Sequence, residues 1–177
     1  ILYPRLVKMN GDSGDFSRWQ ANARGVDLNH NYDSGFADYK ILERKKGISG
    51  GAPTRFSGEF PESEPETRAL ANFLRYHDNI KLILTLHTQG EEIYYTSGGR
   101  KHEKSDAIGS AFAKMTGYEL SIPEGLAAYG GLTDFTIEKL DIPSFTIEAG
   151  KGTNPLPLED YFEIYTKLRE MLFSAVR

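Results

Sequence analysis

Lys81 to Glu92, KLILTLHTQGEE, constrains the chain more than any other stretch. A continuous aliphatic run ends in His87 and breaks at once into a polar, glycine-containing turn. An apolar run without alternation reads as a strand buried on both faces, so structure must cover it above and below. His87 then stands at the strand's C-terminal edge, where open α/β sheets gather polar groups around a ligand. The plainer alternative is a histidine satisfied by a backbone carbonyl, since one His alone is a weak metal signal.

Pro143 to Gly150, PSFTIEAG, repeats the pattern and carries Glu148 near its end as the first strand carries His87. A carboxylate within an apolar strand is costly unless it is paired, metal-bound or kept protonated for proton transfer. The competing reading is a salt bridge at the strand's open end. Shorter strands are expected at Glu92–Thr96 and Tyr118–Ile122. Ile1 to Gly14 reads as a strand remnant followed by a turn-rich loop, with no helix.

Helices are expected over Ala37–Lys46, Glu64–Asp78, Lys104–Thr116, Leu132–Leu140 and Leu158–Val176. The second has Ser63 as N-cap and Leu70, Phe73 and Leu74 as its apolar stripe. The last turns Tyr161, Phe162, Tyr165, Leu168, Leu172 and Phe173 inward. Strands alternating with such helices predict an α/β fold, a mixed, largely parallel sheet with helices on both faces. Phe16 to Phe36 has neither period, yet it sets Arg24, Asn29 and His30 among aromatics. A loop so rich in directional donors reads as a binding segment, against the plainer reading of a solvated surface. Pro123 to Gly131 is a second such loop and offers Tyr129.

Composition removes several function classes. With 21 basic and 25 acidic residues the net charge is -4, which makes no electrostatic case for nucleic acid or an anionic membrane surface. No apolar run approaches the roughly 18 residues of a membrane span. The absence of cysteine excludes disulfides, thiolate zinc sites and a cysteine nucleophile, so any metal would be held by His and carboxylate. No Gly-x-Ser-x-Gly elbow supports a serine hydrolase. The 177 residues suffice for one domain, and the start at Ile1 without a Met reads as a fragment or processed product.

Four motifs in order carry a resemblance: Asn22–Asn29 (NARGVDLN), Ser57–Glu64 (SGEFPESE), His87 ending a strand, and Phe145–Glu148 (FTIE). Together they resemble the zinc metallocarboxypeptidases of the M14 family, nearest the bacterial γ-D-glutamyl-L-diamino-acid endopeptidase branch. The resemblance implies a zinc peptidase in which His87 is one metal ligand and Glu148 the general base and acid. Arg24 is the candidate for stabilising the developing oxyanion, Asn29 and His30 for substrate binding, Tyr129 for a substrate contact and Thr133 for the pocket floor.

The family's His-x-x-Glu zinc motif is absent, because His30, His77, His87 and His102 are followed three positions later by Asp33, Ile80, Gly90 and Ser105. The two missing zinc ligands are therefore expected upstream of Ile1. Residues 1–177 would form the larger, C-terminal part of a single catalytic domain, inactive alone and prone to self-association through a truncated edge.

Where the family's carboxypeptidases hold a terminal carboxylate with Asn-Arg, this chain has Asn29-His30. Histidine lacks arginine's bidentate fork, which favours a cell-wall peptide cut between γ-D-glutamyl and a diamino acid. The alternatives are an ordinary metallocarboxypeptidase with altered carboxylate recognition, or a metal-free peptide-binding module. The resemblance implies a bacterial protein and leaves cytoplasm and cell envelope both open.

Overall fold

The computed structural model describes residues 2–176. Six helices, α1 (Leu2–Met9), α2 (Phe36–Lys45), α3 (Pro65–Arg75), α4 (Ser105–Thr116), α5 (Leu132–Leu140) and α6 (Tyr161–Ser174), accompany four strands. The strands β1 (Ile83–His87), β2 (Glu92–Tyr94), β3 (Glu119–Ser121) and β4 (Ser144–Glu148) form one sheet in the order β1-β4-β2-β3. The β1–β4 and β2–β3 pairs are parallel and β2–β4 is antiparallel, the expected mixed, largely parallel sheet.

Strand alternation sorts β4 between two layers. Phe145 and Ile147 join Ile93, Phe112, Leu168 and Met171 in the main core beneath α4 and α6. Ser144 and Thr146 face α5, whose Thr136 donates to Ser144 Oγ (2.7 Å). The opposite layer is thus built partly from hydroxyls, and it opens into a cavity. A smaller core of Tyr32, Ala71 and Phe135 joins α3 to α5.

Several expectations are corrected. Leu2–Met9 is helical and not a strand remnant; Ile1 lies outside the described residues. Leu2 and Leu6 fall one helical turn apart, and Pro4 is tolerated in a first turn. Tyr3 packs edge-on to Phe16, and Phe16 to Trp19. The strand carrying His87 is an edge strand and not one buried on both faces, and Leu86 is 56% exposed.

On α3 the buried positions are Thr67, Ala71 and Leu74, while Leu70 and Phe73 face outward. Glu64, not Ser63, occupies its N-cap position. On α6 the inward face is Leu168 and Met171 with Ile164 and Leu172, and Tyr161, Phe162, Tyr165 and Phe173 point outward. That helix is apolar on two sides, and its slimmer aliphatic side is the one packed with α4. Among the described residues no helix is long and apolar enough to cross a membrane.

Candidate active site

The two parallel strands place their terminal residues side by side, because His87 and Glu148 are register partners at the ends of β1 and β4. Both side chains line a cavity of about 720 Å³. Two residues earlier on the same face come Thr85 and Thr146, also register partners, and α5 adds Thr133. Their hydroxyls form a triangle, with Oγ1 separations of 3.0 Å for Thr85–Thr146, 2.8 Å for Thr133–Thr146 and 3.3 Å for Thr85–Thr133. The same alternation that buries Phe145 and Ile147 therefore points Thr146 and Glu148 at the cavity.

Burial raises the Glu148 carboxyl to about 7, and Glu92, its register partner on β2, pushes in the same direction. Glu92 is itself occupied, accepting from Tyr94 Oη (2.5 Å) and Ser121 Oγ (3.3 Å). Burial lowers the pKa of His87, and the neighbouring His30 adds to that. Glu148 is thus poised to hold or release a proton near neutrality, while His87 presents a neutral imidazole.

The opposite wall comes from the loop before α2. Asp27, almost fully buried, caps a short 3₁₀ turn (Leu28–His30) by accepting from Asn29 N–H (3.2 Å), and it binds Thr54 Oγ1 (3.0 Å) and Arg55 N–H (2.7 Å). Asn31, fully buried, donates to Ser57 O (2.7 Å) and accepts from Thr67 Oγ1 (2.5 Å) and Glu64 N–H (3.1 Å). These bonds turn a segment without sequence periodicity into a rigid support.

His30 stacks on Tyr39, with ring centroids 4.5 Å apart, and its Nδ1 lies 3.3 Å from Tyr129 O. A carbonyl only accepts, so Nδ1 carries the proton in that contact. Burial holds the His30 pKa below its ordinary value. Asp134, at the start of α5, also lines the cavity; burial raises its carboxyl to about 7 while Oδ2 accepts from Gly131 N–H (2.9 Å).

The structure brings His87, Glu148, Asn29, His30 and Thr133 to one cavity. It does not bring Arg24 there: that side chain is 65% exposed, with Nε 3.6 Å from Glu64 Oε2, so its charge is already matched by a buried carboxylate. Tyr129 faces elsewhere, its ring packed on Gly35, and only its carbonyl serves the site. Sequence reasoning missed Thr85, Thr146, Asp134 and Arg55. The threonines were detectable by alternation, two positions before His87 and Glu148, whereas Arg55 had no local pattern to mark it.

Zinc chemistry needs three protein ligands and an open position. Among the described residues no group of three or more His, Asp or Glu side chains could hold a metal ion. His87 suits one ligand position by its neutrality, but residues 2–176 do not by themselves fit a complete zinc site.

The chain is 34% identical over 164 residues to γ-D-glutamyl-L-diamino acid endopeptidase 1 of Lysinibacillus sphaericus, covering 93% of this chain and 40% of that protein. It spans less than half the length of the curated relatives it matches. The crystal structure of carboxypeptidase A from Helicoverpa armigera superimposes with a TM-score of 0.59 at 20% identity, covering 85% of this chain and 42% of the other. That of murein-tripeptide amidase MpaA from Escherichia coli O157 gives 0.56 at 23% identity, covering 88% and 60%. These two likenesses speak for the fold. Residues 5–167 match the zinc carboxypeptidase family, peptidase M14, and the chain belongs to that family.

Proposed function

We propose that the chain is the larger, C-terminal part of the catalytic domain of a zinc-dependent peptidase that hydrolyses cell-wall-type peptides between γ-D-glutamyl and a diamino acid. The pairing of His87 with Glu148 in register at the cavity floor carries this reading. Glu148 takes the proton of the attacking water and returns it to the departing amine, roles that a carboxyl titrating near neutrality performs in turn. His87 serves as one zinc ligand, and the remaining ligands come from outside residues 2–176.

The substrate assignment rests on the endopeptidase named above and on His30. A neutral imidazole whose one proton is committed to Tyr129 O has no charge or fork with which to grip a terminal carboxylate. Asn29 and Thr133 contact the substrate from opposite walls. The open edge of β1 is a surface through which this stretch of chain would pair with further polypeptide or a second copy.

The test is a comparison of substrates with the full-length gene product. Peptides containing a γ-D-glutamyl-L-diamino acid bond should be cut at that bond, and a zinc chelator should stop the reaction. Faster release of C-terminal residues from ordinary α-linked peptides would favour a carboxypeptidase instead. Cleavage of neither class would leave a peptide-binding module.

A further inference from the structure

Arg55 lines the same cavity as His30 and Glu148, yet neither the family resemblance nor the relatives' names assign it a role. Its backbone has φ +64°, the left-handed region that a non-glycine residue adopts at a cost. Two side chains hold it there. Asp27 Oδ2 accepts its N–H (2.7 Å), and Tyr39 Oη, from the ring stacked on His30, donates to its carbonyl (2.9 Å). The guanidinium has no carboxylate within ion-pairing distance among the described residues. Arg24, by contrast, is paired with Glu64.

The fixed backbone thus sets an exposed cation without a carboxylate partner on the cavity that His30, a neutral imidazole, also lines. Lys46, at the C-cap of α2, is the other cation on the cavity wall, but it carries a point charge, not a planar fork. Arg55 is bonded through its N–H to Asp27, on the wall opposite the strand ends that carry His87 and Glu148. That position suits holding a substrate group. It does not suit stabilising charge at the bond being cut.

We propose that Arg55 is the carboxylate anchor of this site, gripping a substrate carboxylate that flanks the scissile bond. The proposal rests on the peptidase reading above and extends it. A γ-linked glutamyl residue keeps its α-carboxylate free next to that bond, and the diamino acid supplies a second carboxylate; either presents the planar acceptor that a guanidinium binds bidentately.

The test uses the full-length gene product carrying Glu148→Gln to prevent turnover, with peptide binding measured by calorimetry. Four peptides are titrated: both carboxylates free, each one amidated, and both amidated. Arg55→Asn removes the charge in a residue that tolerates the left-handed backbone, and Arg55→Lys keeps the charge without the fork. Arg55→Asn should weaken binding of the free peptide about 10- to 100-fold, with Arg55→Lys recovering part of the loss. Amidating the anchored carboxylate should cost the protein that retains Arg55 a similar factor and the Arg55→Asn variant nothing further, and which amidation does so identifies the carboxylate.

Equal affinity with and without the Arg55→Asn substitution would overturn the anchor and leave the peptidase reading standing. No binding of any of the four peptides by the protein that retains Arg55 would overturn both.

Discussion

His30 is held on three sides, and each contact limits what it can do. Tyr39 stacks on one face, Tyr129 O takes the Nδ1 proton, and Gly130 approaches its backbone from behind. Gly130 has φ +77°, and a Cβ there would meet His30 O at 2.8 Å. Its N–H donates to Ser34 O (2.9 Å) and its carbonyl accepts from Tyr32 N–H (3.0 Å), so the loop cannot slide aside without losing both bonds. Gly130→Ala should therefore destabilise the protein by about 2–4 kcal/mol, combining left-handed strain with a backbone clash. Urea denaturation would read this, and an unchanged midpoint would show that the loop gives way freely. The Asn29-His30 pair was legible from the motif around it, but the neutrality of His30 depends on its burial, which only the fold supplies.

At the level of elements, α5 ties β1 and β4 to the cavity wall. Its N-terminus is closed by Asp134, which is buried and titrates near 7, against an ordinary 3.8. The folded state keeps that proton up to about pH 7 while the unfolded chain releases it near pH 4. Between those values the native state binds more protons, so this group's contribution to stability falls as pH rises. Asp134→Asn keeps an acceptor for Gly131 N–H and does not ionise. Relative to wild type, the variant should gain stability on the order of 3 kcal/mol from pH 4 to pH 8. Thermal melts at the two pH values would show it; the same wild-type-to-variant difference at both would contradict it.

The bounds of α5 and α4 were legible because Gly131 and Gly117 punctuate strong patterns. The inward face of α6 was not, since aromatic and aliphatic stripes compete and only packing with α4 decides. Nor was the edge position of β1, because an uninterrupted apolar run says nothing about how many neighbours a strand has.

In the whole molecule, one sheet serves two purposes on its two faces. Phe145 and Ile147 anchor it to α4 and α6, while Thr146 and Glu148 look into the cavity beside Thr85 and His87. The rigid layer thus fixes His87 and Glu148 side by side, and the buried polar loop around Asp27 and Asn31 forms the facing wall. The strand ends bearing His87 and Glu148 were readable from sequence as two apolar runs finishing in a polar group. Their adjacency was not, because it follows from a crossover that skips β2 and β3.

The central claim is that Glu148 moves the proton in this cavity, and hydrolysis of a γ-D-glutamyl-L-diamino acid peptide by the full-length gene product tests it most directly. At pH 7, Glu148→Gln should lower the rate about 10²- to 10⁴-fold while peptide binding stays within a few-fold of wild type. A variant that cuts the peptide at the wild-type rate would contradict the account.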